Sequence, residues 1–152
     1  MDHERWMNEA WRASEKSSCL KTHVGAVIVK DEKMIASGAN VLPDGSKCKS
    51  CPREGLASGE KAELCTAIHA EQEALMDALR KHVDVKGAVM YVGKIKRGVK
   101  EPATKMFCPW CSKLVLASGL SGIIFYAPGG GCLSLTPKEF DDQTQAYLRS
   151  QP

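Results

Sequence analysis

The chain has 152 residues, 43% of them hydrophobic and 26% charged, which suits one globular domain spanning 1–152 around one buried core. A net charge of +3, with Lys and Arg scattered among acids except at Lys94, Lys96, Arg97 and Lys100, is too weak for a nucleic-acid surface. No apolar run reaches the length of a membrane span, and Met1-Asp2-His3-Glu4-Arg5 lacks a signal-peptide profile, so the expected location is cytoplasmic, with no membrane partner.

In residues 2–16, Trp6, Ala10, Trp11 and Ala13 recur at helical spacing and predict an amphipathic helix with core-facing tryptophans. Val24-Gly25-Ala26-Val27-Ile28-Val29-Lys30 reads as a buried strand; Asp31-Glu32-Lys33 turns, and 34–38 returns as its antiparallel partner. Residues 41–65 form a cysteine-containing loop insertion, rich in Gly, Pro, Ser and Lys. A helix over 67–82 follows, with Ile68, Leu75, Met76 and Leu79 on one side.

Gly87-Ala88-Val89-Met90-Tyr91-Val92 is a third strand, and 94–104 a polar loop whose cations suit a solvated hairpin. Pro109 starts a helix that Gly119 ends as a C-cap. Residues 123–126 make a fourth strand, ended by Pro128 and three glycines that lack phosphate-loop spacing; 137–148 close the chain as a helix. Strand–helix–strand units in this order predict an α/β sandwich with part of its sheet parallel.

Two short segments carry the chemistry. His69-Ala70-Glu71 is followed, 37 residues after Glu71, by Cys108-Pro109-Trp110-Cys111. One imidazole and two thiolates leave one corner of a zinc tetrahedron open, the catalytic arrangement, and a water there becomes acidic enough to ionise near neutral pH. His69 and Glu71 project to different sides of a helix start, which leaves Glu71 to shuttle protons rather than ligate. Both segments fall at helix N-termini, whose positive ends favour thiolates. The competing reading of Cys108 and Cys111 is one corner of a closed zinc knuckle.

The spacing H-x-E with C-x-x-C is the signature of zinc nucleobase deaminases. Together with residues 24–30, Gly38-Ala39-Asn40, Ile68-His69-Ala70-Glu71, 87–92 and 119–126, it resembles the cytidine/deoxycytidylate deaminase superfamily, most closely its deoxycytidylate (dCMP) deaminases, over about 17–126. The resemblance implies a three-layer α/β/α sandwich with a mixed central sheet, a catalytic zinc on His69, Cys108 and Cys111, and Glu71 as catalytic residue. It implies hydrolysis of a free pyrimidine nucleotide, dCMP to dUMP and ammonia, by a homo-oligomer. It also places Asn40, Ala70 and Tyr126 against the substrate, though a turn asparagine and a strand-end aromatic explain two of these equally well. Other amino-bearing substrates remain open: cytidine, deoxycytidine, a modified dCMP, or a base in nucleic acid, the last opposed by the lack of a basic, aromatic-studded strip. So does a non-catalytic zinc-stapled binding module.

Three positions depart from the family pattern: Val41 replaces a glycine, Glu73 an asparagine, and Phe107 a proline that here follows as Pro109. With Val41 in the turn where regulated relatives bind an effector, no triphosphate regulation is expected. Seven cysteines, an odd number, argue against a disulfide framework. Cys19, Cys48, Cys51 and Cys65 suggest a second, closed zinc that staples the 41–65 loop, as an additional zinc does in similar deaminases; small buried cysteines are the alternative, and His23 and His82 possible substitutes. The nucleotide phosphate would take its cation from Lys21, Arg53, Lys105 or the 94–100 loop.

Overall fold

The structure, a computed structural model, describes residues 2–57, 60–103 and 108–152. The β-branched segment β1 (Thr22–Lys30) and the strand β2 (Lys33–Ala39) pair antiparallel across Asp31 and Glu32, both at positive φ (50° and 58°). Two consecutive left-handed residues make a turn whose twist matches the strands it joins. β1 pairs antiparallel on its other side with β3 (Val89–Lys96). A second tight turn, Arg97 and Gly98 at φ 52° and 77°, returns β3 into β4 (Val99–Glu101).

β3 also runs parallel to β5 (Gly122–Tyr126), and β5 pairs antiparallel with β6 (Cys132–Leu135), so the sheet is mixed in the order β2-β1-β3-β5-β6. The helices are α1 (His3–Ala13), α2 (Ala70–Arg80), α3 (Pro109–Ser118) and α4 (Pro137–Ser150). None is long and apolar enough to cross a membrane.

Alternation along the strands sends neighbouring side chains to opposite faces. Ala26, Ile28, Met90, Val92, Ile123 and Phe125 bury one face under α2, α3 and α4. Val27, Val29, Tyr91 and Ile124 bury the other under Trp6, Met7 and Ala10 of α1. The result is the expected three-layer α/β/α sandwich, with Trp6 fully in the core.

Three sequence expectations change. The buried stripe of α2 is Ala70, Glu71, Ala74 and Ala78, while Met76 is half exposed and Leu79 is 67% exposed. The cause is close packing on β2: a Cβ at Gly38 would stand 2.4 Å from the Ala74 amide nitrogen, so only alanines fit between helix and sheet. The polar loop over 94–104 instead extends β3 and turns back as β4, closer to the solvated-hairpin reading. The stretch after the glycines is strand β6, whose four residues are too short a run for a periodicity signal.

Candidate active site

α2 and α3 both begin beside one another on the same face of the sheet, and their first residues are the predicted ligands. His69 is the N-cap of α2, with extended backbone (φ −72°, ψ 153°). Its amide donates to Gln72 Oε1 at 2.9 Å, the N-cap-to-third-residue pairing that fixes a helix start. Gln72 thus positions a ligand, and its capping-box spacing was the signal that could have found it. Cys108 is the N-cap of α3 and its sulfur accepts from the Cys111 amide at 3.3 Å, with Pro109 at the first helical turn as expected. Gly119 ends α3 at φ 85°, the left-handed C-cap.

His69 Nδ1 lies 3.2 Å from both Cys108 Sγ and Cys111 Sγ. Among the described residues, this is the one group of three metal-capable side chains whose ligand atoms all lie within 4.8 Å of each other. Zinc–nitrogen and zinc–sulfur bonds at tetrahedral angles separate N and S by about 3.5 Å, so the trio needs only a few tenths of an ångström to close on the metal.

Its charge state already leans that way. The Cys108 thiol is lowered to about 4 by the hydrogen bond from Cys111 and then by His69, against the cost of burial. Cys111 is pushed well above its ordinary value by the Cys108 hydrogen bond and burial, so ionisation favours Cys108 ahead of Cys111. A dication would draw the second proton off as well. His69 is raised, chiefly by its hydrogen bond with Cys108, and Arg53 opposes that shift through its own charge.

Glu71 is 8% exposed, with its carboxyl raised by burial despite a hydrogen bond with Cys111 and the nearby His69. It faces the ligand trio without being part of it. Trp110 stands edge-on to the His69 imidazole, centroids 5.8 Å apart, and is 43% exposed at the rim. Ala70 is buried at the start of α2.

Other predicted residues lie elsewhere. Asn40 Oδ1 accepts from the Val24 amide and Nδ2 donates to the Thr22 carbonyl, both at 2.9 Å, so its amide ties down the start of β1. Tyr126 is on the opposite face of the sheet: its ring packs edge-on against Trp11 at 5.2 Å, so strand alternation removes it from the site. Val41 pairs with Ile68, linking the loop's start to the ligand helix, and Glu73 is held by Arg80 at 2.5 Å. Phe107 and Lys105 lie outside the described residues.

All seven cysteines are free. Cys19, Cys48, Cys51 and Cys65 line one cavity of about 480 Å³, wider than a closed metal set. Burial, then Cys19, Cys65 and Cys51, push the Cys48 thiol up, so the four thiols feel one another. His23 bonds the Cys19 carbonyl beside them, whereas His82 sits in the turn after α2.

The family model for the cytidine and deoxycytidylate deaminase zinc-binding region matches residues 1–127. A deoxycytidylate deaminase of Mycobacterium phage D29 is 35% identical over 130 residues, 80% of this chain and 91% of that one. A deoxycytidylate deaminase of Schizosaccharomyces pombe is 30% identical over 80% of this chain, which spans only 35% of that longer protein. Among solved structures, the dCMP deaminase of cyanophage S-TIM5 in complex with dCMP and dUMP has a TM-score of 0.58 and 27% identity, covering 79% of this chain and 76% of that one.

Proposed function

The chain belongs to the cytidine and deoxycytidylate deaminase family, and on that footing we propose that it converts dCMP to dUMP and ammonia by zinc-dependent hydrolysis. The observation that carries the reaction is the buried Glu71 carboxyl beside the His69, Cys108 and Cys111 trio. The substrate rests on the deoxycytidylate deaminases that the chain is similar to, and on the cyanophage relative's complex with dCMP and dUMP.

Zinc on His69, Cys108 and Cys111 would supply the Lewis acidity that makes hydroxide available near neutral pH. The protein's own part is proton traffic. Water contributes the oxygen of the new ring carbonyl, and the bond to the amino nitrogen breaks. Glu71 takes one water proton on its carboxylate, delivers it to the ring nitrogen, and a second transfer to the amine lets ammonia leave. Burial raises the Glu71 carboxyl above its ordinary range, which makes the carboxylate a stronger proton acceptor. Gln72 Oε1 accepts from the His69 backbone amide and fixes the start of α2, while the Trp110 ring stands against the imidazole.

The shared cavity of Cys19, Cys48, Cys51 and Cys65 supports a second, structural zinc. Exposed Met76 and Leu79 on α2, with Leu114 and Leu116 on α3, support a homo-oligomer. Ammonia release from dCMP, CMP, deoxycytidine and cytidine, with Glu71→Gln as control, tests the activity. Turnover confined to dCMP, abolished by Glu71→Gln with zinc retained, is the expected result. Silence on all four by the zinc-loaded protein would favour a binding module instead.

A further inference from the structure

Two of the three zinc ligands belong to α3, Cys108 as its N-cap and Cys111 in its first turn, so whatever fixes the rotation of α3 fixes where their sulfurs point. The buried side of the helix holds Cys111, Ser112 and Val115, while Trp110, Leu114 and Leu116 are exposed. Apolar contacts such as those of Val115 are non-directional and let a helix roll. Ser112 is different. It is fully buried, its amide donates to the Cys108 carbonyl at 2.9 Å, and its hydroxyl donates to Asp141 Oδ1 of α4 at 2.9 Å. A buried hydroxyl needs such a partner, and the bond it makes is directional.

Asp141 stands on the inward side of α4. Pro137, Phe140 and Thr144 are buried, and Asp141 completes their i, i+3, i+4, i+7 spacing, where an apolar residue is the ordinary occupant. Phe140 packs edge-on against Phe125 of β5 with centroids 5.5 Å apart, and the Thr144 hydroxyl donates to the Phe140 carbonyl at 2.9 Å. The turn that presents Asp141 is therefore anchored to the sheet. The neighbouring Asp142 pairs with Lys138, whereas Asp141 pairs with no cation among the described residues. We propose that Asp141 is a positioning residue for the metal centre: through the buried Ser112 hydroxyl it sets the rotation of α3, and with it the placement of Cys108 and Cys111 against His69. The proposal rests on the zinc-dependent reading above. It gives a role in the site to α4, which lies wholly beyond the residues that the family model matches.

The test compares wild type with Ser112→Ala, Asp141→Ala, the double variant and Asp141→Asn, which keeps an acceptor oxygen. Thermal melts are read beside zinc affinity, measured by competition with a chromogenic chelator, and Cys111→Ser identifies the zinc that the trio binds. Losing a residue that orients a metal ligand weakens binding by roughly 10- to 100-fold. Ser112→Ala and Asp141→Ala should each do so for that zinc alone, and the double variant should lose no more than either. Asp141→Asn should stay near wild type. A lowered Tm with unchanged zinc affinity would overturn the proposal and leave the bond a packing contact, as would a loss in Asp141→Asn equal to that in Asp141→Ala. Should Asp141→Ala fail to fold, Ser112→Ala, which removes a single oxygen, carries the comparison. Ammonia release from dCMP by zinc-loaded wild type is read in parallel. Zinc bound without turnover sinks the deaminase reading and leaves the zinc comparison intact, while a wild-type trio that binds no zinc overturns both.

Discussion

Gly38→Ala should separate the geometry of the site from the stability of the fold. The new methyl would meet the Ala74 amide nitrogen at 2.4 Å, the Glu73 carbonyl carbon at 2.7 Å and the Ala70 carbonyl oxygen at 2.8 Å. Ordinary contact begins near 3.4 Å, and all three atoms are α2 backbone, so no side chain can swing aside and the helix must retreat by about 1 Å. α2 carries His69 as its N-cap and Glu71 in its first turn, whereas Cys108 and Cys111 ride on α3. A retreat of that size opens the 3.2 Å contacts of the His69, Cys108 and Cys111 trio and moves Glu71 relative to the two cysteines. Overpacking of this kind costs about 1–3 kcal/mol of stability, while a misplacement of about 1 Å at a catalytic constellation costs on the order of 100-fold in rate.

The matched control is Gly25→Ala, where the methyl would meet the Ala10 carbonyl oxygen at 2.0 Å and the Ser14 amide nitrogen at 2.4 Å under α1. Thermal unfolding and kcat/KM for dCMP per folded, zinc-loaded molecule are read for both. Each variant should lose roughly 2–4 °C of Tm per kcal/mol, but only Gly38→Ala should lose about 100-fold in kcat/KM. Full specific activity in Gly38→Ala, or an equal loss in Gly25→Ala, would refute the reasoning.

Asp77 offers a pH-dependent counterpart. Burial pushes its carboxyl up, but Lys81 and the Ser37 amide, each at 2.9 Å, outweigh that and hold it below 3.8. Its contribution is therefore present above the unfolded pKa and lost as pH falls through the folded one. Asp77→Ala should cost about 1.5–3 kcal/mol in urea melts at pH 7, with the gap to wild type closing below pH 3.8; a gap constant with pH contradicts this. Asn40→Ala strips partners from the Val24 amide and the Thr22 carbonyl, so it should lower the unfolding free energy by about 1–3 kcal/mol, and an unshifted midpoint would rule out the clamp. Cys48→Ser should reduce bound zinc from two per chain to one and speed proteolysis in the 41–65 loop; one zinc in both proteins would eliminate the second site.

Signals confined to a few neighbouring residues were sufficient for the ligand set. His69, Glu71, Cys108 and Cys111 are chemistry-bearing types at helix starts, and Pro109 and Gly119 mark the ends of α3 because their backbone preferences act locally. Strand β1 was legible from its β-branched run and Asp31-Glu32 from the turn it demands. Decisions that depend on distant backbone were not legible. β4 and β6 exist because β3 and β5 offer them partners, not because their own residues favour strands. Apolar spacing points to Leu75, Met76 and Leu79 on α2, yet only Leu75 packs on the core, and the helix–sheet distance set at Gly38 buries alanines in place of Met76 and Leu79. Tyr126 and Phe125 are adjacent in sequence, and only the register of β5 decides which of them faces α1 and which lies on the side of the ligands. Sequence by itself determined the candidate reacting groups, since their chemistry resides in residue type and short spacing. Tertiary structure decided which side chains share the site with them, because facing and depth follow from long-range packing that no local pattern encodes.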